Sequence, residues 1–224
     1  MCGRFALSST DDALARLFQA ALANALPPLP NYNICPTTQI HVVFREGDQR
    51  RLAPMRWGFV PTWYKSPLDG PLLHNARAEG LAEKPAFREA CRQRRCLIPA
   101  DGFYEWHRPE GREKQPWYIR PAVEGPMVFA GIWQDWHQDG MRFASCAMVT
   151  TEAAGKMAEI HHRIPVILQP GDWAKWLGEE GHGAARLMRP APDDTLRFHK
   201  VGKAVNSNRA TGPELIEKIE EIET

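Results

Sequence analysis

Cys96-Leu97-Ile98-Pro99-Ala100-Asp101-Gly102-Phe103-Tyr104-Glu105-Trp106 is the stretch on which the fold turns. Apolar and aromatic residues flank an Asp-Gly pair, which reads as two strands meeting at a sharp bend. Further strand-like runs follow at 117–119, 128–133, 146–150 and 166–168. Upstream, residues 41–44 and 51–59 read as a hairpin around Glu46-Gly47-Asp48. Helical patterns are fewer. Residues 8–12 supply capping hydroxyls and first-turn acids, and Leu14, Leu17, Phe18, Ala21 and Leu22 recur at helical spacing until Pro27. Other helices are expected over 85–94 and 153–160, with a short one capped by Asp172. Asn75-Ala76-Arg77 is expected to lead into the helix at 85–94. Many short strands with few helices predict a single α+β domain over 1–212, built around a curved, barrel-like, mostly antiparallel sheet with flanking helices. Residues 213–224 are expected to form an acidic terminal helix or tail, with Leu215, Ile216, Ile219 and Ile222 as its apolar stripe.

The bulk numbers fit that reading. The 224 residues are 43% hydrophobic and 25% charged, ordinary globular usage. No apolar run has the length of a membrane span, and the start MCGRF lacks the pattern of a secretory signal. Five cysteines, an odd and sparse set, favour a reducing, cytoplasmic setting over a disulfide framework. Cys91 and Cys96 have no second Cys or His pair at zinc-binding spacing, so no metal or other cofactor is expected. The net charge of +1 argues against a wholly basic surface. Cations outnumber acids over 1–120 and the reverse holds beyond, which leaves room for a local basic face.

Chemistry concentrates at a few positions. Removal of Met1 would leave Cys2 with a free α-amine beside its thiol, both partly nucleophilic near neutral pH. Such a 1,2-aminothiol can attack an acyl carbon, or condense with an aldehyde and close a thiazolidine ring. It can also be an incidental residue near a chain end. Glu105 lies among aromatics, where desolvation would raise its pKa and suit it to proton transfer. Strand alternation offers the competing reading, a glutamate on the wet face of a half-buried strand. His161 is either a general acid/base or a helix-capping histidine. Asn75 and Arg77 can orient a carbonyl and clamp a phosphate, or be a turn asparagine and a surface arginine. Arg88, Arg92, Arg94 and Arg95 complement a helix C-terminus or form a phosphate-facing patch. Trp63 and Tyr64 sit in a loop rich in Pro and Gly, as a lid or as stacking platforms.

Five ordered motifs decide among these. MCGRF at 1–5, WGFVPTW at 57–63, HNARAE at 74–79, PADGFYEW at 99–106 and HHRIPVIL at 161–168 together resemble the SOS response-associated peptidase (SRAP) family of abasic-site processing proteins. The likeness runs from residue 2 to about 168 and returns weakly at Val205-Asn206; Ile164 stands where the family usually has Met. The resemblance implies a sensor of abasic sites in single-stranded DNA, whose processed N-terminal Cys2 forms a thiazolidine with the ring-opened sugar. It implies that Asn75 holds the sugar or the N-terminus and that Glu105 and His161 move protons in formation and reversal of the crosslink. Arg4, Arg77 and Arg163 would contact phosphates, with Trp106 and Trp57 as further DNA contacts. It also implies self-removal of Met1. The expected partner is single-stranded DNA, with replication-fork proteins as further candidates and a monomeric, cytoplasmic, nucleoid-associated protein. Three rival readings are an N-terminal-nucleophile glutaminase, which also begins Met-Cys-Gly, a non-catalytic single-strand binding module, and a true peptidase acting in trans.

Overall fold

The computed structural model describes residues 2–111 and 113–220; Met1, Ile222 and the expectations attached to them lie outside the described residues. Five strands close into a barrel: β4 (Gln39–Glu46), β5 (Gln49–Trp57), β7 (Arg95–Ala100), β10 (Met127–Gln138) and β11 (Met141–Glu152). Their neighbours pair antiparallel except where β11 meets β5 in parallel, Ser145 opposite Arg56 and Cys146 opposite Trp57, and that pairing closes the ring. Short strands extend it: β2 (Ala20–Leu22), β6 (Asn75–Arg77) and β12 (Arg163–Pro165). A second sheet runs β13 (Leu196–Lys200), β9 (Gln115–Pro121), β8 (Gly102–His107), β1 (Phe5–Leu7), β3 (Asn31–Ile34). The bend at Asp101-Gly102 carries the chain from barrel to second sheet. A Cβ on Gly102 would lie 2.5 Å from the Tyr118 ring, so the bend needs glycine for closeness of approach.

One core joins the two sheets. Phe5 meets Trp57 edge-on at 5.1 Å and Phe129 at 6.0 Å, and Phe103 meets Phe129 at 5.9 Å. The second sheet is also covered on its outer face, where Ala6, Tyr104, Tyr118, Val201, Val205 and Leu215 form a separate apolar cluster. A strand buried on both faces cannot show the alternation expected of a half-wet one. Glu105, on the face it shares with Phe103, is buried towards the main core, against the wet-face reading.

Helix α1 (Asp11–Phe18) starts as expected, with the Thr10 hydroxyl accepting from the Ala13 N–H. It ends four residues early. Gln19 takes φ 52°, a left-handed C-cap, and Ala20–Leu22 becomes β2 beside β5. The apolar residues that continued the helical spacing are thus a strand, since pairing with an open sheet edge outweighs a weak local preference. Helix α2 (Pro85–Gln93) opens on Pro85 and buries Phe87 and Ala90. Arg94 binds Gln134 and Glu89, and Arg95 is spent on the carbonyls of Cys91, Arg92 and Trp176, so these two are structural rather than phosphate-facing. Helices α3 (Gly155–Ile160) and α4 (Trp173–Leu177) form where expected, although Asp172 makes no side-chain cap. The expected terminal helix is instead a 3-10 turn at Pro213–Ile216, followed by a bridge from Lys218 to Val201. Leu215 is buried in the outer cluster. Among the described residues no helix is long and apolar enough to cross a membrane.

Candidate active site

The site lies where the chain's start crosses both sheets. Cys2 precedes β1 and is 1% exposed. Its carbonyl accepts the Asn75 Nδ2–H at 2.7 Å. Asn75 is placed by β6, which lies parallel on β11 with Asn75 opposite Met148 and Arg77 opposite Thr150. Strand alternation sends Ala76 into the core and puts Asn75 and Arg77 on the same, opposite face. The expected approach to a helix at this point is therefore a strand. The Asn75 Oδ1 is buried without a hydrogen-bond partner among the described residues, an acceptor available to an incoming group.

Glu105 enters from β8 on the face it shares with Phe103 and lies 3.9 Å from the Nδ1 of His161, just past the end of α3. Burial pushes the Glu105 carboxyl up to about 7. Burial holds His161 down at about 4. Between about pH 4 and 7 the proton of this pair therefore belongs to the carboxyl, and the imidazole is neutral. The His161 Nδ1 lies 3.0 Å from the Arg163 N–H and 3.3 Å from the Arg163 carbonyl, so it accepts from the first or donates to the second according to its tautomer. Burial raises the Cys2 thiol well above its ordinary range, and the nearby Glu105 carboxylate adds to that. The resting sulfur is a thiol.

Around this centre, Arg4 donates to Asn33 Oδ1 at 2.6 Å and to the Val205 carbonyl at 2.9 Å, and its guanidinium stands 5.8 Å over the Trp106 ring. The Trp106 Nε1–H donates to Asn206 Oδ1 at 2.7 Å. Asn33, itself buried, also donates to the carbonyls of Ser207 and Ala210. Val205-Asn206 thus closes the outer side of the site. Asn33 escaped the sequence reading because it looked like a turn residue in a short extended piece. Glu79 escaped too, although it belongs to the HNARAE motif.

Two expected DNA contacts are corrected. Trp57 is 0% exposed, packs on Phe5 and donates to the His74 carbonyl at 2.8 Å, so it is core and offers no stacking face. Arg163 is 5% exposed, and its guanidinium is held by both Glu79 oxygens at 3.0 and 2.8 Å and by the Thr150 carbonyl at 2.7 Å. It anchors the strand after His161 and has no nitrogen turned to solvent for a phosphate. Arg77 is exposed, and Trp63 is 58% exposed on its loop. Among the described residues no cluster of three or more His, Cys, Asp or Glu side chains is arranged to hold a metal ion.

A closed five-stranded barrel with a second sheet against it, and a buried Cys2 beside a carboxyl–imidazole pair, define a class of α+β proteins built around their own N-terminus. The sequence profile described as SOS response associated peptidase (SRAP) matches residues 1–208. The chain belongs to that family. It is 36% identical to the abasic site processing protein YoqW of Bacillus subtilis over 97% of this chain and 99% of the relative. It is 30% identical to the abasic site processing protein YedK of Escherichia coli, covering 98% of this chain and 100% of the relative. A crystal structure of a protein from Bacteroides thetaiotaomicron superposes with a TM-score of 0.86 at 23% identity, covering 97% and 100% of the two chains, and shares the fold. Both curated relatives carry the description abasic site processing protein.

Proposed function

We propose that this protein traps abasic sites in single-stranded DNA as a covalent thiazolidine on Cys2, after removing its own Met1. The amine freed at Cys2 adds to the aldehyde carbon of the ring-opened deoxyribose. Loss of one water leaves an imine. The thiol sulfur then adds to the imine carbon and its proton passes to the nitrogen, closing the five-membered ring. Glu105 in its acid form donates the proton that expels water. Neutral His161 takes and returns the proton in opening the sugar ring and in reversal. Asn75 fixes the Cys2 backbone and offers its free acceptor to the sugar hydroxyls. Arg4, Arg77 and Trp106 carry the neighbouring nucleotides.

The observation that carries the reading is the Glu105–His161 pair 3.9 Å apart, beside a Cys2 whose carbonyl is held by Asn75. Intact-mass spectrometry tests it, before and after incubation with a single-stranded oligonucleotide containing one abasic site. The expected outcome is loss of Met1 followed by a heat-stable adduct at the summed mass less one water, mapped to Cys2 and absent in Cys2→Ala, which still binds DNA. An adduct that persists in Cys2→Ala overturns the reading.

A further inference from the structure

A groove of about 680 Å³ opens at the β13 edge of the second sheet, lined by Trp117, Lys156, Phe198, Lys200 and Lys218. Glu220 is the one carboxylate among its described lining residues. Register ties it to the candidate active site. Glu105 stands opposite Trp117 across β8 and β9, and Trp117 stands opposite Lys200 across β9 and β13. The three share one face, and strands lie about 4.8 Å apart, so Lys200 is roughly 10 Å from Glu105. Helix α3 spans the same interval: Lys156 lies in its first turn at the groove, and His161 follows its last residue at the pocket.

The groove is built for anions rather than bases. Lys156 Nζ stands 5.4 Å over the Phe198 ring and Lys200 Nζ 5.7 Å over the Trp117 ring. Each of these rings has an ammonium over one face, which helps to hold the cations in place. Lys156 and Lys218 on the groove lining suit successive phosphates of a flexible strand.

We propose that this groove holds the sugar–phosphate chain flanking the lesion, on one side of it only. The proposal rests on the abasic-site reading above for the position of the lesion. Its test needs no covalent step. Two single-stranded oligonucleotides of equal length carry a tetrahydrofuran abasic analogue, which lacks the aldehyde, near either the 5′ or the 3′ end. Affinity for each is measured against salt for the wild type and for Lys156→Ala/Lys218→Ala. The expected result is a loss of about fivefold or more, with a salt slope shallower by about 1.4 for two lost phosphate contacts, on one oligonucleotide and not the other. Equal affinity on both, or equal loss on both, overturns the proposal. A thermal denaturation midpoint for the double variant within a few degrees of the wild type is expected and reports intact folding. A wild type that forms no Cys2 adduct would sink the crosslinking reading while leaving the analogue measurement decisive for the groove.

Discussion

Glu105 stores a conflict between folding and chemistry. Its carboxyl is raised from an ordinary 4.5 to about 7 by burial, so folding favours the neutral form. The stability this contributes is fully present below about pH 4.5 and lost as pH rises through about 7. Glu105→Gln, which cannot ionise, is therefore expected to be more stable than the wild type by about 1–3 kcal/mol above pH 8 and equal to it near pH 4, as thermal or urea denaturation would record. Under the proposed mechanism the same substitution should slow crosslinking about 100-fold and remove the alkaline fall in rate expected of the wild type above about pH 7. A Gln variant with wild-type rate and profile would demote Glu105 to a structural residue. Glu105 was legible as a candidate because of its aromatic neighbours. Its burial was not, because alternation along 103–106 does not say what covers that face, and the cover comes from distant parts of the chain, Cys2 and His161 among them.

At the scale of elements, the segment from β11 through His161 to β12 depends on one ion pair. Glu79 is held at about 2, chiefly by its hydrogen bonds from Arg163, and it also accepts from the Thr151 hydroxyl and the Glu152 N–H. The Arg163 backbone N–H in turn lies 3.0 Å from His161 Nδ1. Glu79→Ala leaves a nearly buried guanidinium half-partnered. Because the Glu79 side chain is 46% exposed, the cost is expected at about 1–2 kcal/mol, below that of a fully buried pair. A depressed carboxylate contributes stability above its unfolded pKa and loses it as pH falls through the folded one. The gap between variant and wild type should thus close between about pH 4.5 and 2 in denaturant titrations. A gap constant with pH would mean lost packing rather than a lost pair. Element type was readable wherever strands were long or a cap was explicit, as at Thr10. It failed at Ala20–Leu22, at Asn75–Arg77 and after Pro213, where a short segment takes its conformation from the sheet or cluster it docks against.

Across the whole molecule, a net charge of only +1 means that the proposed DNA binding would have to come from placed cations. Arg77, exposed on the same face as Asn75, is expected to contact backbone whatever the sequence. Arg77→Ala should weaken binding to any single strand severalfold and reduce the salt slope by about 0.7. A change in base preference without a change in slope would refute the phosphate assignment. The α+β barrel-like architecture was legible from strand count and bends, and the family from five motifs scattered through the chain. Parallel closure of β11 on β5 was not, since register between strands some ninety residues apart leaves no local pattern. One consequence concerns endurance. A 1,2-aminothiol at a chain end would ordinarily be spent on peroxides, quinones or stray metabolite aldehydes. Here the sulfur is sealed under protein and kept protonated, while the half-buried Cys35 and Cys91 lie nearer the oxidants. For the aldehyde trap proposed above, that shelter means a long idle life with the sulfur still loaded when a lesion arrives.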